Sequence, residues 1–129
     1  MALQFQLVAG EYAVCRLAST EPVPAWAELS SDAEFLSVTR TSEELSIVAP
    51  AAAVQQGVEC ARGWRVIKLV GPFPLEAVGV LAPVLHALAR EQVNVFVVST
   101  YDTDWILVPA TKADHAVAAL RGAGCELVA

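Results

Sequence analysis

The chain has 129 residues, 56% of them hydrophobic and 17% charged, which supplies a core and leaves too little charge for disorder. Its formal net charge of −6, from 8 Lys and Arg against 14 Asp and Glu, excludes the basic stripe of a nucleic-acid binder and disfavours an anionic membrane surface. A surface this poor in charge also implies that a partner copy covers some of its apolar area.

The chain opens MALQFQLVAGE, without the basic start of a signal peptide. Residues 4–8 are expected to form a strand that turns at Gly10 and lies beside a second strand, residues 12–18 (YAVCRLA). A stunted helix is expected at residues 25–29. Residues 39–48 (TRTSEELSIV) read as strand, turn and strand, followed by a short helix at 51–56 and a closing strand at 57–61. Residues 64–70 (WRVIKLV) alternate and are rich in β-formers. GPFPLEAVG, residues 71–79, is a loop punctuated by Gly and Pro. Val78, Leu81, Ala82, Leu85 and Ala89 then recur at helical spacing and predict the apolar face of a helix beginning near Gly79. Pro83 is compatible only with the start of that helix. VFVVST (95–100) is the next strand, Tyr101, Asp102 and Thr103 a turn, and DWILV (104–108) another strand. Thr111 is expected to cap a second helix, with Asp114 approximating a capping box and Ala113, Ala116, Val117 and Leu120 as its buried face. Gly122 or Gly124 ends it, and CELV (125–128) is the last strand. The most apolar helical stretch, residues 78–89, is too short to span a bilayer and contains Pro83 and His86.

The second half thus has the order β-α-β-β-α-β, the split βαβ of ferredoxin-like domains. The first half repeats it in reduced form. Residues 12–18 match 64–70 at a spacing of 52 (12 to 64), and residues 39–48 match 99–108 at a spacing of 60 (39 to 99). The difference falls where the first helix belongs. The expected fold is α+β: two tandem ferredoxin-like βαββαβ halves, residues 1–61 degenerate and 62–129 complete, with antiparallel sheets and helices on one face.

No catalytic constellation is visible: the chain has no G-x-S-x-G, H-E-x-x-H, P-loop or G-x-G-x-x-G motif. Cys15, Cys60 and Cys125 are odd in number and far apart, which reads as small core residues in a reducing compartment and not as a disulfide framework or metal site. His86 and His115 read as surface or half-buried structural residues. What remains is a binding pattern. The 71–79 loop leads into a helix start, whose free N–H groups favour a carboxylate. STYDTD gathers Thr100, Tyr101, Asp102 and Asp104, an acidic cluster suited to an ammonium or guanidinium group. Equally, STYDTD reads as an Asx-type turn serving its own backbone, and the loop as an ordinary strand-to-helix connection. Within one βαββαβ unit the loop and the turn are expected at different strand ends, so that only two halves packed together unite them.

The stretch from GPFPLEAVG to STYDTDWILVP resembles the ACT domain subfamily of the CASTOR amino-acid sensors and of small bacterial tandem-ACT proteins, related to the regulatory ACT domains of aspartate kinase. The resemblance implies a cytoplasmic regulatory protein that has no active site, cofactor or metal of its own and binds an amino acid at an interface between ACT units. It carries ligand contacts over to Glu76, Ala77, Val78 and Gly79 on the loop. Thr100, Tyr101 and Asp104 follow from the S-T-x-x-x-D segment, and Ser46 and Ile47 from the matching strand of the first half. With two ACT units where the sensors have four, the chain is expected to form a homodimer and to act on an enzyme or transporter. The alternative is an interaction module whose halves only dimerise.

Overall fold

The computed structural model describes residues 2–28 and 33–129. Its elements are β1 (Gln4–Leu17), β2 (Ser37–Arg40), β3 (Leu45–Pro50), β4 (Cys60–Leu69), α1 (Leu81–Arg90), β5 (Phe96–Ser99), β6 (Asp104–Pro109), α2 (Ala113–Gly122) and β7 (Glu126–Leu127). The fold is α+β, with antiparallel ladders β1–β3, β2–β3 and β5–β6 and one parallel contact between β1 and β7.

The residues fall into two compact units. One comprises Met1–Ala9 with Arg65–Ala129, the other Gly10–Trp64. The first holds both α-helices and the strand order β7-β1-β4-β6-β5. Its core joins Phe5, Ile67, Leu69, Ile106 and Val108 from the strands to Val84, Leu88, Ala116 and Leu120 from the helices. Phe5 explains why residues 2–9 cluster here and not with residues 10–64: its side chain is fully buried in this core. The second unit has the order β2-β3-β1-β4 and its own core of Ala13, Cys15, Leu45, Ile47, Ala49 and Val54. Among its described residues there is no α-helix.

Several expected elements are drawn differently. The turn at Gly10 does not form; β1 runs on for 14 residues. Likewise, residues 57–61 and 64–70 are not two strands, since β4 is continuous from Cys60 to Leu69. Gly10 and Gly63 lie inside these strands at φ +92° and +83°, a backbone that glycine adopts freely, so each strand passes through a local distortion without ending. Residues 24–27 form a turn closed by Ala27 N–H donating to Pro24 O at 3.0 Å, and Leu29 of the expected stunted helix lies outside the described residues. The helix expected at 51–56 is a 3-10 turn, Ala51–Ala53.

The buried stripe of α1 is Val84, Ala87 and Leu88, with Val80 and Leu81 packed beside it, whereas Ala82 and Ala89 are exposed and Val78 is 96% exposed. Nearly every position of LAPVLHALAR is apolar, so periodicity alone admits more than one stripe, and the strands decide which is used. Thr111 does not cap α2. A 3-10 turn, Ala110–Lys112, precedes the helix, and Ala113 N–H bonds back to Ala110 O in place of a side-chain cap.

One part of the expected match between the halves recurs, with a corrected spacing. β2, β3 and the 3-10 turn at 51 recur as β5, β6 and the 3-10 turn at 110, every boundary 59 residues on (37 to 96, 45 to 104, 51 to 110). Thr41 N–H donates to Glu44 O at 2.9 Å and Thr100 N–H to Thr103 O at 2.8 Å, so the two turns also superpose at 59. Matching Glu44 to Asp104 gave 60, a one-residue slip that would turn every strand side chain to the wrong face.

Candidate functional site

β4 ends at Leu69 because the chain turns into Gly71-Pro72-Phe73-Pro74, where two prolines lack the N–H that a ladder requires. Ala77 N–H then donates to Pro74 O at 3.0 Å, which places Leu75 and Glu76 at the tip of a turn before α1. On the other side, β5 and β6 meet at the pair Ser99–Asp104. Between them the Thr100 N–H and Oγ1 both donate to Thr103 O, at 2.8 and 3.1 Å, with Tyr101 and Asp102 at the tip. The Ser99 hydroxyl donates to Asp104 Oδ1.

Loop and turn are tied together inside one unit. Thr103, a buried polar residue, donates its hydroxyl to Leu69 O at 2.7 Å, and Phe73 N–H donates to Asp102 O at 2.8 Å. The expectation that they lie at different strand ends is therefore corrected. β4 and β6 are neighbours, and the end of β4 lies beside the start of β6, so whatever follows one meets whatever precedes the other.

Together they enclose an open cavity of about 190 Å³, lined by Phe73, Pro74, Leu75, Ala77 and Val80 on one wall and by every residue from Ser99 to Asp104 on the other. Its charged residues are Asp102 and Asp104, both acidic. Hydroxyls of Ser99, Thr100, Tyr101 and Thr103 add polar groups, and Phe73, Leu75 and Val80 an apolar side. Such a lining accepts a small cationic group with a modest apolar body.

Of the sequence-derived candidates, Ala77, Thr100, Tyr101, Asp102 and Asp104 line this cavity. Glu76, Val78 and Gly79 are exposed on the same loop and outside its lining, and Gly79 borders a separate cavity of about 360 Å³ with Leu3, Val84 and Cys125. Ser46 and Ile47 belong to β3 of the other unit. The Ile47 side chain is fully buried, and β3 is paired on both edges, to β1 and to β2. Phe73, Pro74, Leu75, Val80, Ser99 and Thr103 of the lining are not among those candidates. Phe73, Pro74, Asp102 and Thr103 lie inside the two motifs that drew attention, but their inward position follows from the two long-range hydrogen bonds and not from spacing.

His86 is exposed, and His115 Nε2 lies 3.3 Å from Glu91 Oε1 on the surface. Among the described residues no group of three or more His, Cys, Asp or Glu is placed to hold a metal ion, and no helix is long and apolar enough to cross a membrane.

Residues 59–122 match the ACT domain family, and residues 10–56 match a second family described as an N-terminal domain. No curated protein matches the chain. Among solved structures, protein Atu0741 from Agrobacterium tumefaciens is 34% identical, with 99% of this chain and 93% of that one covered and a TM-score of 0.90. Protein VC0802 from Vibrio cholerae, described as of unknown function and a possible transport protein, is 29% identical over 95% of this chain and 91% of its own, with a TM-score of 0.71. The regulatory subunit of aspartate kinase from Thermus thermophilus shares the fold at 16% identity, over 90% of this chain and 98% of its own, with a TM-score of 0.60.

Proposed function

This chain belongs to one family with the Agrobacterium protein and carries an ACT domain at residues 59–122, and from that premise we propose that it is a regulatory protein that binds an amino acid where two ACT units meet. The observation that carries the reading is the cavity between the 73–80 loop and the 99–104 turn, acidic on one wall and apolar on the other. In this reading Asp104 pairs with the ligand's cationic group, aided by Glu76 from the loop tip. Thr100 and Tyr101 orient the ligand, and the backbone of Ala77, Val78 and Gly79 with the start of α1 receives its carboxylate.

Leu75, Val78 and Tyr101 are 68%, 96% and 78% exposed around the same loop and turn, which supports closure of the site by a second ACT unit. The proposal takes residues 1–61 and 62–129 as tandem ferredoxin-like halves of the CASTOR type, paired in a cytoplasmic homodimer. Ser46 and Ile47 are given no ligand contact in this reading, because Ile47 is buried and β3 is paired on both edges. Ligand binding favours one packing of the units over another and so reaches a regulated enzyme or transporter.

The test is a thermal-shift and calorimetric screen of the twenty amino acids. One or a few are expected to raise Tm at millimolar concentration, because a ligand that binds only the folded state must stabilise it. Asp104→Asn is expected to weaken that binding by about tenfold or more, the cost of losing a charged hydrogen-bond partner. A screen in which none raises Tm ends the sensing reading and leaves the exposed Leu75, Val78 and Tyr101 as a plain dimerisation surface.

A further inference from the structure

Cys15 lies on β1 and Cys60 opens β4, and the two strands are neighbours. Arg16 N–H donates to Glu59 O at 2.9 Å and Val70 N–H to Gln4 O at 2.9 Å, so β4 runs antiparallel to β1. In an antiparallel pair the Arg16 bond puts Cys15 directly opposite Cys60, at a position where the two residues exchange no backbone hydrogen bonds. Such pairs bring their Cα atoms to about 4.5 Å and point both side chains to the same face. A disulfide spans Cα separations of roughly 4.4–6.8 Å, so the backbone here needs little adjustment to accept one. The packing agrees with the register: Cys15 is a member of the core of the Gly10–Trp64 unit, and Cys60 packs against that same core. Both thiols are free in the structure.

We propose that Cys15 and Cys60 form a modification site, a dithiol that closes reversibly into a cross-strand disulfide by exchange with a small-molecule disulfide. Cys60 is half-buried and Cys15 is 1% exposed, which assigns their order of action. The Cys60 thiolate attacks one sulfur of the incoming disulfide, that S–S bond breaks, and one small thiol leaves with the proton Cys60 gave up. The Cys15 sulfur then attacks the Cys60 sulfur of the mixed disulfide, the protein S–S bond forms, and the second small thiol leaves with the proton of Cys15. Two protein thiols are oxidised and one external disulfide is reduced to two thiols. Burial, followed by the adjacent Cys60 thiol, pushes the Cys15 thiol up to about 11, while the Arg62 guanidinium works in the opposite direction. Cys15 is thus the slow resolving partner, and closure accelerates as pH rises. Cys125 belongs to the other unit and takes no part.

The experiment incubates the reduced full-length protein with oxidised glutathione, then alkylates, digests without reduction and maps the thiols by mass spectrometry. The expected product has lost two hydrogens, joins the Cys15 and Cys60 peptides, keeps Cys125 alkylated, and returns to the dithiol on reduction. Its Tm is expected to exceed that of the reduced form by roughly 10 °C or more, since the bond closes a long loop in the unfolded chain. Cys125→Ser is expected to leave closure intact, and Cys60→Ser to abolish it. A stable glutathione adduct at Cys60 without closure, a link that includes Cys125, or three thiols that stay reduced would each overturn the proposal.

Discussion

Replacing Thr103 by Val tests whether the cavity is held by its hydroxyl. The two side chains have nearly the same shape, so the substitution removes the donor and little else. Thr103 is 7% exposed, and the carbonyl it serves, at 2.7 Å, belongs to the fully buried Leu69. A hydrogen bond of this kind contributes about 1 kcal/mol net, and an acceptor left buried without a partner costs about 1–3 kcal/mol. The expected loss is therefore about 1–3 kcal/mol in urea-induced unfolding, with a Tm lower by roughly 3–15 °C for a chain of this length. Thr103→Ser keeps the donor and is expected to retain most of the stability. A Thr103→Val variant that unfolds within about 0.3 kcal/mol of the parent, or Ser and Val variants that are equally damaging, would refute the hydroxyl's role. In either case something other than the hydroxyl holds the turn against β4.

Gly71→Ala places a Cβ 2.8 Å from Asp102 O and 3.1 Å from Phe73 N, two backbone atoms that cannot swing away, so a destabilisation of about 1–3 kcal/mol is expected by chemical denaturation. Leu88→Ala empties a fully buried position and is expected to cost about 2–5 kcal/mol, whereas Val78→Ala is expected to stay within about 0.5 kcal/mol, a contrast that reports which stripe of α1 faces the core. Stability is also expected to fall at alkaline pH. The Cys15 thiol is raised from 9.0 to about 11 in the folded state, so the unfolded chain ionises first. The contribution is complete below pH 9 and is lost as pH rises to about 11; Tm measured across that window is expected to fall more steeply in the parent than in Cys15→Ala.

The strands and both helices of the second half are legible because alternation and helical spacing are local signals. WRVIKLV and DWILV could hardly be anything but strands. What periodicity does not carry is where a strand stops. Gly10 reads as a turn residue, and residues 57–61 and 64–70 as separate strands, yet the chain passes through Gly10 and Gly63 at positive φ and continues, because paired neighbours on either side are worth more than the break. The 59-residue spacing is hidden from the sequence for a related reason. Glu44 and Asp104 look equivalent by charge, but Thr41 and Thr100 are equivalent by the hydrogen bond each makes three residues ahead. Charge at a solvated turn is free to drift by a residue, while the bond that closes the turn is not.

The same reasoning explains why the cavity needs no second half to bring its walls together. β4 hands the chain to a loop that two prolines keep from pairing, and β6 begins from a turn that closes on itself, so both segments retain polar groups that the sheet does not consume. Two hydrogen bonds cross the gap: Phe73 N–H donates to Asp102 O, and Thr103 Oγ1 to Leu69 O of β4. The carboxylates are not used up in this way. Asp104 receives the Ser99 hydroxyl, which occupies one of roughly four acceptor sites that a carboxylate offers, and the cavity's lining brings it no Lys, Arg or His. The wall thus keeps acceptor sites that the described residues lining it do not fill, which supports the proposed reading in which the cationic end of an amino acid fills them.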